Sequence, residues 1–211
     1  MKITLNAKQK IFFTSDTHFG HKNICRGVSF WPPENTRDFE TVQEMNEEML
    51  SNINNVVGED DILFHMGDFS FDGFENIEYF RRQIKCRNLH LLLGNHDHHI
   101  RKDHDGIRSL FSSVNDYLHL QVNIQEKKET TKRFFVLCHY PIASWDNLRS
   151  GTMHLHGHVH FHEGNVVGPG RMLDVGMDGN GLEVWSLDDV LRILEYRPKV
   201  SMFSNDHHIE M

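Results

Sequence analysis

Histidine is the chemically loaded residue of this chain: there are seventeen among 211 residues, many beside Asp or Gly. The densest group is His154-Leu155-His156-Gly157-His158-Val159-His160-Phe161-His162, in which five imidazoles alternate. A regular strand would set all five on one face, and at about 3.3 Å per residue it would spread them over roughly 26 Å. Paired catalytic metal ions lie only about 3.5–4 Å apart, so five such residues cannot all serve one pair. Gly157 permits a sharp bend and favours His158 and His160 just after it, which leaves His154, His156 and His162 to packing, support or solvent. Further polar groups follow apolar runs: Ser15-Asp16-Thr17-His18, Gly67-Asp68, Gly94-Asn95-His96-Asp97 and His139-Tyr140-Pro141. Asp16 and His18 are one residue apart, so in extended backbone their side chains point the same way. A carboxylate with an imidazole suits Zn, Fe or Mn-type ions. Taken singly, each group also reads as a surface turn, a tight turn or a strand-end histidine.

The elements that must position these residues alternate along the chain. Ile11 to Thr14, Asp61 to Met66, Leu89 to Leu93 and Phe134 to Cys138 read as buried strands, each ending at one of the polar groups. Met153 to Phe161 is strand-like, and short strands are expected near Leu173 and Leu182. Asp38 can cap a helix with an apolar face of Phe39, Val42, Met45, Met49, Ile53 and Val56, ended by Gly58. Phe74, Ile77, Phe80 and Ile84 mark a second helix. Ser186-x-x-Asp189 is a capping signal for a third, which buries Leu187, Val190, Leu191 and Leu194. Asn123 to Arg133 reads as a charged, hairpin-like excursion. This pattern predicts α/β layers in one domain over 1–200, with a polar, loose tail at 201–211. In open α/β sheets ligands bind beyond the carboxyl ends of the strands, where the polar groups fall.

Composition narrows the function classes. No stretch approaches the roughly 18 apolar residues of a membrane span. The N-terminal six residues turn polar before a signal-peptide core forms, so a cytoplasmic location is expected. Cys25, Cys86 and Cys138 show no paired spacing and read as free thiols in a reducing compartment. A formal charge of −8 supplies no basic surface for stable binding to duplex nucleic acid.

Together, Asp16-x-His18, Gly67-Asp68, Gly94-Asn95-His96-Asp97, His139 and Gly157-His158-x-His160 resemble the five ordered motifs of the calcineurin-like metallophosphoesterase superfamily, over residues 16 to 160. The longer stretch from Ser15 to Ile24 is similar to a small single-domain bacterial and phage subgroup. The resemblance implies a four-layer α/β/β/α sandwich of two mixed β-sheets flanked by helices. It implies one metal held by Asp16, His18, Asp68 and His160, and a second by Asp68, Asn95, His139 and His158, with Asp68 bridging. Phosphate esters would be hydrolysed by in-line attack of a metal-bridging hydroxide, with His96 as general acid and Asp97 orienting and charging its ring. Relatives often carry a second acid soon after the bridging Asp, and Asp72 is available.

Neutral His and Asn ligands leave two divalent ions with surplus positive charge, so an anionic phosphate is attracted despite the acidic chain. Mixed N/O ligation admits Mn, Fe, Zn, Co or Ni, with Mn expected to support activity in vitro. His21, Lys22 and Arg26 offer groups to the phosphate, although the same residues read equally as a solvated basic loop. Arg149 is a weaker candidate, and Trp145 reads as packing rather than base stacking. Only about fifty residues follow the last motif, little room for the capping domain of nuclease relatives. Small phosphodiester or nucleotide substrates are therefore favoured over a protein or small-molecule phosphomonoesterase, a nuclease, or a non-catalytic metal-binding interaction module.

Overall fold

The apolar runs legible in the sequence become the centres of two sheets. The computed structural model describes residues 1–6, 8–126, 129–162 and 164–200. Its strands are β1 (Lys2–Thr4), β2 (Ile11–Thr14), β3 (Ile62–His65), β4 (Asn88–Leu92), β5 (Ser113–Asn115), β6 (Tyr117–Glu126), β7 (Glu129–Cys138), β8 (Met153–His156), β9 (Met172–Asp174) and β10 (Trp185–Ser186). The α-helices are α1 (Val42–Val56), α2 (Phe74–Gln83), α3 (His98–Lys102) and α4 (Leu187–Leu194). One sheet has the order β10-β2-β3-β4-β5, parallel except for β10 against β2. The other has the order β1-β6-β7-β8-β9, parallel except for the β6–β7 hairpin. The fold is thus α/β, with two mixed five-stranded sheets flanked by helices.

Side-chain alternation along the strands explains the layering. In β2, Ile11 and Phe13 face the second sheet and share a core with Phe64, Phe135, Leu137 and Leu155. Phe12 and Leu63 face the other way, onto Met45, Met49 and Ile53 of α1 and Ile77 and Phe80 of α2. Leu187, Val190 and Leu194 of α4 join the intersheet core. Outside the second sheet the cover is thin: Val136 of β7 and Met172 of β9 pack with Trp145 and Leu148, which come from the loop holding the 3-10 turn Leu148–Ser150. No helix among the described residues is long and apolar enough to cross a membrane.

Several expectations need correction. The cap of α1 is Thr41, which forms a reciprocal capping box with Glu44; Asp38 instead pairs with Arg26 at 2.6 Å. Val56 is exposed and Val57 is buried in its place, because the helix ends there. The strand expected from Met153 to Phe161 stops at His156. Near Leu182 there is a 3-10 turn, Met177–Asn180, and left-handed backbone at Leu182 itself (φ 63°); the strand begins only at Trp185. The excursion at Asn123 to Arg133 is the far part of the β6–β7 hairpin, whose residues 127 and 128 lie outside the described residues. The expected loose tail, 201–211, lies outside them too.

Candidate metal centre

The carboxyl ends of β2, β3, β4, β7 and β8 deliver the polar groups to one place. Neighbouring strand ends of each sheet are tied there: Asp16 N–H donates to Gly67 O at 3.0 Å, His18 N–H to Asp68 O at 3.0 Å, and Gly157 N–H to His139 O at 3.0 Å. Asp16, His18, Asp68, His158 and His160 all adopt left-handed backbone, with φ between 48° and 73°. The alternation expected for Asp16 and His18 in extended chain is therefore not what aims them together. The chain turns sharply just past β2, β3 and β8, and these kinks turn the side chains into the cleft. Such conformations cost on the order of 1–3 kcal/mol each and persist only where surrounding structure enforces them, commonly at functional sites. Two glycines make this crowding possible. A Cβ on Gly157 would stand 2.2 Å from Asp16 Oδ2, and one on Gly94 2.1 Å from Asp68 Oδ1. The need at Gly157 is for space against Asp16 rather than for a bend.

The ligand atoms converge. His18 Nε2 and His160 Nε2 each lie 3.7 Å from Asp16 Oδ1 and 3.1 Å from one another. Asp68 Oδ2 lies 3.7 Å from His18 Nε2 and 3.6 Å from His139 Nε2. Asn95 Oδ1 is 3.0 Å from His139 Nε2. Asp16, His18 and His160 form one group able to hold a metal ion, and Asp16, Asp68 and His139 another. Asp16 belongs to both groups, and Asp68 Oδ2 lies within 4 Å of an imidazole of each. His158 is more exposed: its N–H holds Asp16 Oδ2 at 2.9 Å, while its ring packs 5.0 Å from that of His139 and lines the cleft.

Tautomers follow from what each ring can donate to. His139 Nδ1 meets Met66 O at 2.7 Å, and a carbonyl only accepts, so Nε2 turns its lone pair toward Asp68. His160 Nδ1–H donates to Asp178 Oδ2 at 2.7 Å, so in the neutral ring it is the Nε2 lone pair that faces Asp16. Asp16 Oδ1 is buried without a hydrogen-bond partner. Burial pushes the Asp16 carboxyl up to about 7 and raises Asp68, while it lowers His18 far below its usual range and His139 to about 4. Converging acceptors with desolvated carboxylates and neutral imidazoles are the donor set a divalent cation satisfies, so these residues fit the implied pair of ions.

Asp178 and Arg37 carried no local signal in the sequence. Arg37, almost fully buried, donates to Asp178 at 2.7 and 3.0 Å, to Thr17 O at 2.9 Å and to Asp16 O at 2.6 Å. Burial alone would raise the Asp178 carboxyl, but Arg37 and the His160 hydrogen bond hold it well below the usual range. Burial would likewise lower His160, yet Asp178 and Asp16 leave it raised. Asp178→Asn is expected to weaken metal affinity by about 10–100-fold, the usual effect of removing a carboxylate behind a ligating histidine. Calorimetric titration with Mn checks this; unchanged affinity would reduce Asp178 to a structural ion pair.

The structure corrects the role expected of Asp97. Its buried carboxylate accepts from Asp68 N–H and Gly94 N–H at 2.8 Å each and from Phe69 N–H at 3.0 Å. It pins the two ligand-bearing turns together instead of orienting the His96 ring. The carboxylate nearest His96 Nε2 is Asp68, at 4.0 Å.

His21 and His96 line a cleft of about 490 Å³ over this centre. His162, also left open, reaches the same cleft, whereas His154 and His156 stay buried in β8 behind it. Lys22 and Arg26 do not line it, and Arg26 instead braces its own loop through Thr36, Pro33 and Asp38. Asp72 and Arg149 do not line it either. Trp145 is buried, donating to Thr152 O at 2.8 Å, which is the packing role expected.

The chain is 29% identical over 201 residues to the uncharacterized protein MJ1445 of Methanocaldococcus jannaschii, covering 94% of this chain and 98% of that one. A crystal structure of the protein of unknown function AQ665 from Aquifex aeolicus superposes with a TM-score of 0.61 at 20% identity, over 89% of this chain and all of that one. That likeness is one of fold. No family model matches the chain.

Proposed function

We propose that this protein is a two-metal phosphoesterase acting on small phosphodiester or nucleotide-type substrates. The observation that carries the reading is the meeting of Asp16 and Asp68, both desolvated, with the Nε2 lone pairs of His139 and His160 at 3.6 and 3.7 Å. Asp16, His18, Asp68 and His160 would hold one ion; Asp68, Asn95, His139 and His158 would hold the other. Divalent ions there, Mn in the first instance, would supply charge that polarises a phosphoryl oxygen and lowers the pKa of water. The chain adds a proton donor: His96 lines the cleft with a side chain 41% exposed, placed to protonate a leaving oxygen. The neutral imidazoles of His18 and His139 preserve the positive surplus that an anionic ester needs. We also infer a cytoplasmic location, supported by three buried free thiols.

The test is reconstitution of the chelated protein with Mn, Fe, Zn, Co or Ni, followed by assay of bis-p-nitrophenyl phosphate. Uptake of two ions per chain with diester hydrolysis is expected. Because the Asp16 carboxyl is raised to about 7, protons compete with metal as pH falls through that value. Apparent Mn affinity should therefore drop from pH 8 to pH 6. Failure to bind two ions, or binding them without hydrolysing any ester, would overturn the reading.

A further inference from the structure

The cleft is built from two dissimilar parts. The ligand-bearing strand ends form one; the segment carrying Trp31, Glu34, Asn35 and Thr36 forms the other. Trp31 is 46% exposed, with its ring edge-on to His21 at 5.7 Å, and His21 in turn stacks flat on Phe71 at 3.9 Å. An indole half in water at the rim of a cleft presents a face on which a planar ring can stack. The wall is held in place. Trp31 N–H donates to Ser29 Oγ at 2.9 Å, Arg37 N–H to Ile24 O at 2.6 Å, and Arg26 reaches Pro33 and Thr36. Arg37 belongs to the same segment and ties it to Asp178 behind His160.

Charge gives the second clue. Among the described residues lining the cleft none is Lys or Arg, and the wall contributes the Glu34 carboxylate. Among the described lining residues a polyphosphate chain would therefore meet no Lys or Arg along its length. A single phosphate joined to a ring with hydroxyl and amine groups suits Glu34, Asn35 and Thr36 as hydrogen-bonding partners.

We infer that Trp31, with Glu34, Asn35 and Thr36, binds the nucleoside part of a singly phosphorylated nucleoside diester, and that this wall selects against polyphosphates. The inference rests on the phosphoesterase reading.

The experiment titrates the Mn-loaded protein with adenosine 5′-monophosphate, adenosine 5′-triphosphate and inorganic phosphate, following tryptophan fluorescence and calorimetry. Trp145 and Trp185 are buried, so quenching on nucleotide addition reports Trp31. Adenosine monophosphate is expected to bind more tightly than phosphate and to quench; the triphosphate should gain nothing further. Trp31→Leu should weaken the monophosphate roughly tenfold, as loss of a stacking partner does, and leave phosphate unchanged. Trp31→Phe should restore most of the affinity. Equal binding of monophosphate and phosphate, or a triphosphate bound far more tightly, overturns the inference alone. Binding of none of the three to Mn-loaded protein overturns the phosphoesterase reading and this inference with it.

Discussion

Asp68→Asn is expected, on the proposed phosphoesterase reading, to give a folded protein that no longer takes up a pair of ions and hydrolyses a phosphodiester about 10³-fold or more slowly than the unsubstituted chain. Asp68 Oδ2 is the oxygen that reaches both His18 and His139, at 3.7 and 3.6 Å. An amide in its place coordinates weakly and carries no charge. A metal ion acting on phosphoryl oxygens supplies several kcal/mol, and each ~1.4 kcal/mol is tenfold in rate. The substitution spares the scaffold, because the other oxygen, which accepts from His96 N–H at 2.8 Å, has an equivalent in Asn. Burial already disfavours the ionised Asp68, so removing the charge should leave the melting temperature of the metal-free protein equal or higher. The rise in melting temperature on adding Mn, which reports binding to the folded state, should disappear. Metal analysis, calorimetry and bis-p-nitrophenyl phosphate turnover measure all three. Two ions per chain with undiminished turnover would remove Asp68 from the centre.

His96→Ala should retain both ions and lose turnover by about 10²–10⁴-fold on esters with poor leaving groups. The imidazole is held over the cleft without being among the closely grouped ligand atoms. The backbone N–H of His96 is anchored on Asp68 Oδ1, the ring lies 4.9 Å from that of Phe71, and Nε2 stays 4.0 Å from Asp68 Oδ2. A general acid matters most when the departing oxygen is basic. An alkyl diester should therefore suffer far more than a p-nitrophenyl diester, whose leaving group departs without help. Equal losses on both, or loss of metal, would make His96 structural.

The sequence by itself carried the ordered framework. Short continuous apolar runs ended by Asp, His or Asn located β2, β3, β4 and β7, and the alternating histidines located β8, because apolar runs and their polar ends are local properties. The α4 cap was equally legible: Ser186 accepts from Asp189 N–H at 3.1 Å, three residues away. Before α1 the sequence points to Asp38, whereas the cap is Thr41, three residues before the Glu44 that completes the box.

Tertiary structure decided how the centre is held. Arg37 and Asp178 are 141 residues apart, and neither has a neighbour in sequence that hints at the other. Asp97 looks from its sequence position like a partner for adjacent His96, yet its bonds run to backbone that two strand ends bring together. The left-handed turns at Asp16, His18, Asp68, His158 and His160 are likewise invisible locally, since unsupported chain would relax out of them. Only the pairing of strand ends distant in sequence and the face-to-face packing of the two sheets supply the contacts that hold those backbones strained and aim their side chains at one point.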